Sequence, residues 1–126
     1  GVSVLIPAHN EEMVIENTIE AIFNSDYPRD RLEVIVIDDA STDGTATALQ
    51  RLTKRFPGLR VIQVPAGEGG QGQAAALNRG LPEARHRLIG VYDADNQPEP
   101  AALRYLAGQF VVVLSAIIGA KWKIGM

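Results

Sequence analysis

Two apolar runs in this sequence end directly in aspartates. Val-Ile-Val-Ile at 34–37 leads into Asp38, and Leu-Ile-Gly-Val-Tyr at 88–92 leads into Asp93. Strands that are apolar throughout, rather than alternating, are buried on both faces and are usually parallel. In an open parallel α/β sheet, ligands bind outside the carboxyl ends of the strands. Both aspartates are therefore predicted to lie at the edge of the sheet where chemistry is expected.

Apolar β-rich runs alternate with helical patterns along the chain, which is typical of βαβ units. The predicted strands are 2–6, 32–37, 59–64 and 88–92. Pro7 is expected to end the first strand because it has no N–H for a ladder. Predicted helices follow Asn10 as N-cap, begin near Ser41 or Asp43, and cover roughly 73–81 and 101–109. The predicted fold class is α/β, with a mostly parallel doubly wound sheet.

Length and charge narrow the function classes. The chain has 126 residues, which suits one domain, and a net charge of −3 without clustered Lys and Arg, which argues against a nucleic-acid partner. It has no cysteine, so disulfides and thiolate metal sites are excluded. We assign residues 1–109 to the domain and 110–126 to an apolar tail. The β-branched residues of the tail favour a strand or strand pair. Its apolar run is about half the roughly 20 residues that span a membrane, so a truncated membrane-entry segment is the second interpretation.

The sequence Asp93-Ala94-Asp95 is a candidate metal motif. Residues i and i+2 of a strand point to the same side, so the two carboxylates can converge on one cation. Paired carboxylates suit Mg²⁺ or Mn²⁺, which take further ligands from substrate phosphates. A lone motif of this kind also fits a polar turn. The second acidic strand end, Asp38-Asp39, favours the functional interpretation.

Four segments in order carry a resemblance to a known family. They are 4–11 (VLIPAHNE), 38–45 (DDASTDGT), the Gly-rich stretch 69–80, and the DAD sequence at 93–95. Together they resemble the amino-terminal, donor-binding half of the family 2 inverting glycosyltransferases of GT-A fold. The likeness covers residues 1 to about 109 and is greatest to the processive, membrane-associated branch, which includes cellulose, chitin, hyaluronan and poly-N-acetylglucosamine synthases. It implies a truncated Rossmann-like nucleotide-binding topology.

The resemblance implies a nucleotide-binding site formed by the segments 4–11 and 38–45. The backbone of Pro7 and Ala8 would lie against uridine, His9 would stack where the family usually has Tyr, and Asp39 would accept the uracil N–H. The implied nucleotide-binding residues are Pro7, Ala8, His9, Glu11, Asp39, Gly72 and Asp93.

The same resemblance implies a metal and a sugar pocket. Asp95 and Asp93 would hold Mg²⁺ or Mn²⁺, and the sugar-donor pocket would contain Asn78, Asp93 and Ala94. The Gly-rich stretch 67–73 lets backbone N–H groups approach a phosphate. The family often has basic residues at the positions of Gln71 and Gln73, which this chain lacks.

The resemblance also implies partners and a place in the cell. They are a UDP-sugar donor and a glycan or lipid-linked acceptor, at the cytoplasmic face of the membrane in a full-length parent that contacts the membrane through other segments. The catalytic base of that parent is expected beyond Met126. Glu99 is the sole acidic residue after the metal motif in this sequence, and it lies too close to the motif to be the family's base. The chain alone is therefore expected to bind donor and metal without completing transfer.

Two other function classes stay open from the residues alone. One is a non-catalytic nucleotide-sugar binding module, and the other is a different enzyme on a doubly wound fold, such as a nucleotidyltransferase or a phosphatase. A nucleotidyltransferase is expected to carry a Gly-rich loop with Arg after the first strand, and residues 7–10 are Pro-Ala-His-Asn. A dinucleotide-binding fold is expected to carry G-x-G-x-x-G there, which is absent. The sugar, the acceptor and the oligomeric state are open.

Overall fold

A computed structural model describes residues 1–24, 27–92, 103–106 and 109–113, the last two ranges as backbone only. In chain order its strands and α-helices are β1 (Val2–Ala8), α1 (Ile15–Phe23), β2 (Leu32–Asp38), α2 (Thr45–Arg55), β3 (Leu59–Gln63), α3 (Gln73–Gly80), β4 (Leu88–Val91), β5 (Leu103–Leu106) and β6 (Gln109–Val113). Short 3₁₀ turns at Arg29–Arg31 and Leu81–Glu83 precede β2 and follow α3.

The strands form one sheet in the order β3-β2-β1-β4-β6-β5. All neighbouring pairs are parallel except β5 with β6. The chain moves outward from β1 through β2 to β3 and then returns to place β4 on the other side of β1. The strand order therefore reverses between β1 and β4, the place where doubly wound folds bind their ligands. The predicted α/β class and parallel sheet are confirmed.

Alternate residues of the central strands enter two apolar layers. Val4 and Ile6 of β1 pack in the layer that contains α1 and α2, while Leu5 packs in the layer that contains Ala76 of α3. This two-sided burial explains why β1 and β2 are apolar almost throughout. It also fixes the loops at the carboxyl ends of the strands relative to one another.

Pro7 does not end the first strand. It stays in register with Ile37 of β2, and β1 continues to Ala8. In a parallel strand alternate residues bond to opposite neighbours: Leu5 accepts from Tyr92 on the β4 side, and Ala8 accepts from Asp39 on the β2 side. Pro7 therefore faces the β4 side, beyond the last paired residue Leu5. The missing N–H of Pro7 therefore removes no bond of the β1–β2 ladder, which continues to Ala8.

The predicted helix at 101–109 is wrong for residues 103–106, which form strand β5. They pair antiparallel with β6, with Leu103 opposite Val112 and Tyr105 opposite Phe110. Strand pairing overrides the helical propensity of Leu103, Arg104 and Leu106, because propensity is a weak prior against tertiary context. The strand predicted for the apolar tail is confirmed at 110–113, and β6 begins one residue earlier, at Gln109, within the predicted helix. β6 lies beside β4 in the sheet, across the assigned domain boundary.

No helix in the described ranges is both long and apolar enough to cross a membrane.

A polar cluster closes the opposite end of the sheet, at the amino ends of the strands. We define this amino-edge cluster as Ser3, Glu33, Arg60 and Arg85. The buried Glu33 carboxylate accepts from Ser3 Oγ at 2.7 Å, Arg60 Nη1 at 2.8 Å and the Arg85 backbone N–H at 2.9 Å. Burial by itself raises the pKa of Glu33, but the hydrogen bonds from Arg85, Ser3 and Arg60 more than offset it, and the net pKa is lowered.

Candidate functional site

A cleft of about 390 Å³ opens at the carboxyl ends of β1 and β2. It lies beside the β1–β4 reversal of strand order, where the sheet topology predicts a ligand site. Its walls are the ends of these strands, the loops that follow them, the Gly-rich loop and the start of α3. The residues that line it are Pro7, Ala8, His9, Glu11, Asp39, Gly70, Gly72, Gln73 and Ala76.

Asn10 joins the loop after β1 to the loop after β2. Its backbone is left-handed, with φ of 53°, a conformation in which Asn is enriched. Its Oδ1 accepts from the backbone N–H groups of Thr42 at 2.8 Å and Asp43 at 3.3 Å, and its own N–H donates to Ser41 Oγ at 3.0 Å. Asn10 is thus not the N-cap of α1, which begins at Ile15. It caps the turn of the neighbouring loop instead.

Further reciprocal bonds bind these two loops together. The Glu11 N–H donates to Thr45 Oγ1 at 2.9 Å, and the Gly44 N–H donates to Glu12 Oε2 at 3.1 Å. Asp43 Oδ1 accepts from the Thr45 N–H at 2.9 Å, in the first turn of α2. Desolvation raises the pKa of Asp43 and the hydrogen bonds from Thr45 lower it, with a net lowering. Two loops about 31 residues apart in sequence are therefore bound to each other, and Glu11 of the first loop lines the cleft.

His9 is fixed in orientation at the mouth of the cleft. Its Nδ1 lies 2.7 Å from the carbonyl oxygen of Asp39, and since a carbonyl only accepts, Nδ1 carries the proton. Its Nε2 then accepts from Asn10 Nδ2 at 3.4 Å. Both ring nitrogens are engaged at the ring edge. A flat ring held by its edge leaves its face available for stacking.

Asp39 lies between the second loop and the Gly-rich loop. The backbone N–H of Gly70 is 3.2 Å from Asp39 Oδ1 and 3.3 Å from Oδ2, so one donor is shared by both oxygens. At Gly69 a Cβ would lie 2.7 Å from the Cβ of Ala40 and 2.9 Å from Asp39 Oδ1. Only glycine permits so close an approach at residue 69. The Gly-rich loop is thus seated on Asp39 and Ala40.

The neighbouring Asp38 is buried below the cleft. Asp38 is only 1% exposed, and its Oδ1 accepts a hydrogen bond from the Ser41 N–H at 3.2 Å. Among the residues that the structure describes, Oδ2 of Asp38 is the buried side-chain atom with no hydrogen-bond partner. Ala40, two residues on, has a left-handed backbone with φ of 54°. The left-handed backbone of Ala40 and the unsatisfied Oδ2 of Asp38 thus lie on either side of Asp39 in the chain.

Comparison with known proteins identifies the family. A family model described as "Glycosyl transferase family 2" matches residues 3–124. The chain belongs to glycosyl transferase family 2. The resemblance seen in the four sequence segments is therefore confirmed, and the GT-A fold with it.

Curated relatives and solved structures agree with this family. The chain is 45% identical over 105 residues to the probable glycosyltransferase YdaM of Bacillus subtilis, covering 83% of this chain and 25% of the relative. It is 38% identical over 109 residues to a beta-monoglucosyldiacylglycerol synthase of Synechocystis, covering 86% and 22%. The chain thus spans about a quarter of the length of the curated relatives it matches.

Two solved family structures were determined with nucleotide sugars. The mannosyltransferase PcManGT of Pyrobaculum calidifontis, in complex with GDP-Man and Mn²⁺, is 42% identical, with a TM-score of 0.66, and covers 75% of this chain and 27% of its own. TarS 1–349 of S. aureus, in complex with UDP-GlcNAc, is 28% identical, with a TM-score of 0.67, and covers 75% and 26%.

The fold of this family 2 protein brings most of the predicted nucleotide-binding residues to one cleft. Pro7, Ala8, His9, Glu11, Asp39 and Gly72 all line it. Asp93, predicted for the nucleotide, metal and sugar, lies outside the described residues, as do Ala94 and Asp95. Their roles stay predictions.

Asn78, which was predicted for the sugar pocket, lies on α3 outside the lining of the cleft. It is exposed and does not line the cleft, unlike Gln73 and Ala76 of the same helix. Five residues separate it from Gln73, which is about 140° around a helix of 3.6 residues per turn. Asn78 is therefore not among the described residues that line the cleft, and its sugar role stays a prediction.

Three cleft residues were not among the predicted site residues. Gly70 and Gln73 belong to the Gly-rich stretch already expected near phosphate, while Ala76 reads from sequence as core. The signal for Ala76 was its position one helical turn after Gln73, which puts both on one face of α3.

The described residues do not by themselves form a metal site. In ranges 1–24 and 27–92, no group of three or more His, Cys, Asp or Glu side chains could hold a metal ion. The cleft contributes the carboxylates of Asp39 and Glu11, and Asp39 is already engaged by Gly70. The predicted metal ligands Asp93 and Asp95 lie outside the described residues, so the metal site stays a prediction.

Proposed function

We propose that this protein binds a UDP-sugar with a divalent cation, as the donor-binding part of an inverting transfer to a glycan or lipid-linked acceptor. The observation that carries the proposal is the cleft at the β1–β4 reversal, where the Asp39 carboxylate, the edge-held His9 ring and the Gly-rich loop meet. Family membership and relatives solved with nucleotide sugars support it.

Asp39 and His9 would bind the base. A half-buried carboxylate is a strong acceptor for a ring N–H, because hydrogen bonds to an ionised group are stronger than neutral ones. The His9 face offers a stacking surface whose orientation the bonds to Asp39 O and Asn10 fix. Because these contacts exist before any ligand arrives, little ordering is needed on binding.

The Gly-rich loop and the start of α3 would face the diphosphate. Gly70 and Gly72 have positive φ values of 75° and 98°, which turn the backbone toward the cleft that both residues line. α3 begins at Gln73, and the N–H groups of a helix start favour anions. Within the described part of the chain, no Lys or Arg lines this cleft, so the diphosphate charge needs another partner.

A divalent cation would meet that need. We propose Asp95 and Asp93 as its ligands, with Mg²⁺ or Mn²⁺ as the ion. The preceding residue, Tyr92, donates its N–H to Leu5 O, so β4 runs beside β1 up to the cleft edge. Asp95 and Asp93 would thus hold an ion that would supply positive charge beside the diphosphate. The relative PcManGT was solved with Mn²⁺.

The acceptor side of the reaction is proposed from the resemblance alone. Inverting transfer needs a general base for the acceptor hydroxyl. We propose that this base lies beyond Met126 and that the reaction takes place at the cytoplasmic face of a membrane. Fractionation of cells that express the full-length protein, with protease protection of the domain, tests the location.

A GDP-sugar is a second candidate donor. The relative solved with GDP-Man is 42% identical to this chain, against 28% for the one solved with UDP-GlcNAc. Guanine also presents a ring N–H that a carboxylate such as Asp39 can accept. The two donors differ in how many N–H groups they direct at that carboxylate.

Calorimetric titration with UDP in Mn²⁺, and again with EDTA, tests the proposed function. We expect Mn²⁺-dependent binding, which Asp39→Ala weakens about 10- to 100-fold because it removes a charged acceptor. Asp95→Ala should abolish the dependence on Mn²⁺. Asp30→Ala, an exposed acid of the Arg29–Arg31 turn, is the matched control and should bind like wild type. Absence of UDP binding by folded protein, as judged by circular dichroism, would refute the proposal.

A further inference from the structure

The Gly70 N–H occupies a specific place on the Asp39 carboxylate. Its distances to the two oxygens, 3.2 and 3.3 Å, are nearly equal. A donor that is equidistant from both oxygens lies in front of the carboxylate, between them. That is also where a fork of two parallel N–H groups binds a carboxylate. The front of Asp39 is therefore taken, while its outer lone pairs remain for a ligand in the cleft that it lines.

The sequence around the loop keeps Gly70 in this place. Gly69 packs against Ala40 and Asp39 so closely that a Cβ would lie under 3.0 Å from both. Gly70 itself has φ of 75°, a conformation that side chains disfavour. The carbonyl of Asp39 is also bonded to His9, so the carboxylate stands on a fixed backbone. Gly70 is thus held in place both by its own loop and by the fixed backbone of Asp39.

Nucleobases differ in what they present to a carboxylate. Uracil presents one N–H flanked by two carbonyls, and guanine presents two adjacent donors, a ring N–H and an amino group. Cytosine and adenine present a ring acceptor at the corresponding position, which a carboxylate repels. A single N–H can bind an outer lone pair of Asp39 while Gly70 stays in place. The guanine fork requires the position that Gly70 holds.

We propose that Gly70, seated by Gly69 on Asp39, makes the donor site selective for uracil over guanine. This inference rests on the proposed donor-binding function. Guanine must either bind with one of its two donors unpaired or displace the loop. Each choice costs about one hydrogen bond, which corresponds to roughly a tenfold difference in affinity.

Titration of UDP and GDP into wild type, Gly69→Ala and Gly67→Ala, all in Mn²⁺, tests the inference. We expect wild type to bind UDP at least about tenfold more tightly than GDP. In Gly69→Ala the new Cβ would unseat the loop, so this ratio should fall toward one. Gly67→Ala is the matched control, since Gly67 has φ of 93° but a Cβ there would meet no described atom within 4 Å beyond its chain neighbours. It strains the backbone of the same loop without touching Asp39, and any effect on the diphosphate would change UDP and GDP binding alike, so the ratio should stay at the wild-type value.

The outcomes separate the two proposals. If wild type binds GDP as tightly as UDP, or if folded Gly69→Ala keeps the wild-type ratio, the selectivity inference is overturned while donor binding stands. If neither nucleotide binds, the proposed function fails and the inference fails with it. The wild-type ratio alone decides the matter should Gly69→Ala not fold.

Discussion

Each end of the β-sheet buries a carboxylate, but the two carboxylates differ in how they are hydrogen-bonded. At the amino ends, the buried Glu33 carboxylate accepts from Ser3, Arg60 and Arg85. At the carboxyl ends, the buried Asp38 leaves Oδ2 without a partner in the described part of the chain. The buried carboxylate at the amino ends has its hydrogen-bond donors, whereas one carboxylate oxygen at the carboxyl ends can still accept a hydrogen bond.

Backbone strain follows the same division. The left-handed non-glycine residues of the described ranges, Asn10 and Ala40, both lie in loops at the carboxyl ends of the strands. Strained backbone persists where surrounding structure over-determines it, and it clusters at functional sites. Here the loop-to-loop bonds of Asn10 provide that support. The difference teaches that the amino-edge cluster stabilises the fold, whereas the cleft edge is organised for binding.

Glu33→Ala should have the largest effect on stability. It leaves Arg60 without its buried partner and removes the acceptor of Ser3 and of the Arg85 N–H, so we expect a loss of about 3 kcal/mol in the free energy of unfolding. UDP affinity of the folded protein should be unchanged. Urea denaturation followed by circular dichroism measures the loss. Glu83→Ala removes the half-exposed partner of Arg60 and should cost under about 0.5 kcal/mol. Equal losses for the two variants would contradict the importance given to burial.

Acidification should reproduce part of this loss. The pKa of Glu33 is lower in the folded protein than its ordinary value of 4.5. The stability it contributes is therefore present above the unfolded pKa and is lost as pH falls from 4.5 through the folded pKa. The effect should be smaller than in Glu33→Ala because the protonated side chain still packs. Urea midpoints of wild type and Glu33→Gln, measured between neutral pH and acid, should converge as the pH drops. A constant difference would show that Glu33 does not titrate this way.

Asn10→Gly should loosen the cleft edge. Glycine tolerates φ of 53°, so the variant removes the side-chain bonds to the second loop without adding strain. We expect a loss of about 1 kcal/mol in stability and several-fold weaker UDP binding. Asn10→Asp retains the oxygen that accepts from the second loop but loses the Nδ2 donor to His9 Nε2, so its UDP affinity should fall between those of Asn10→Gly and wild type. Wild-type affinity in Asn10→Gly would mean that the loop-to-loop bonds do not organise the cleft.

Ala40→Gly should give the smallest change, and in the opposite direction. It relieves the left-handed strain at φ of 54°, partly offset by greater freedom of the unfolded chain, for a net gain of about 0.5 kcal/mol. Ala75→Gly, in the middle of α3, should instead lose about 1 kcal/mol. Thermal unfolding of both variants checks the signs. A loss of stability in Ala40→Gly would refute strain at this loop.

Much of the fold follows from local pattern. The apolar runs locate β1 to β4 to within one or two residues, because strands buried on both faces must be apolar throughout. The site edge follows as well, since parallel strands direct their carboxyl ends to one side. The residues before and after those strand ends then predict most of the cleft.

What the sequence did not predict depends on which segments become neighbours. Asn10 reads as a helix cap locally, but its partners are Thr42 and Asp43 of another loop. The role of Glu33 depends on Arg60 of the adjacent strand, and the sequence of neither strand alone determines the register that brings the two residues together. The 103–106 segment became a strand because β6 was available to pair with it. Such long-range choices are decided by packing rather than by propensity.

Amide chemical shifts of ¹⁵N-labelled protein, followed during titration with UDP and Mg²⁺, test the central claim most directly. We predict the largest changes at His9, Asp39, Gly70 and Gly72, with Ser3, Glu33 and Arg85 unmoved. Changes centred on the amino-edge cluster, or none at saturating UDP, would contradict the assignment of the cleft as the nucleotide site.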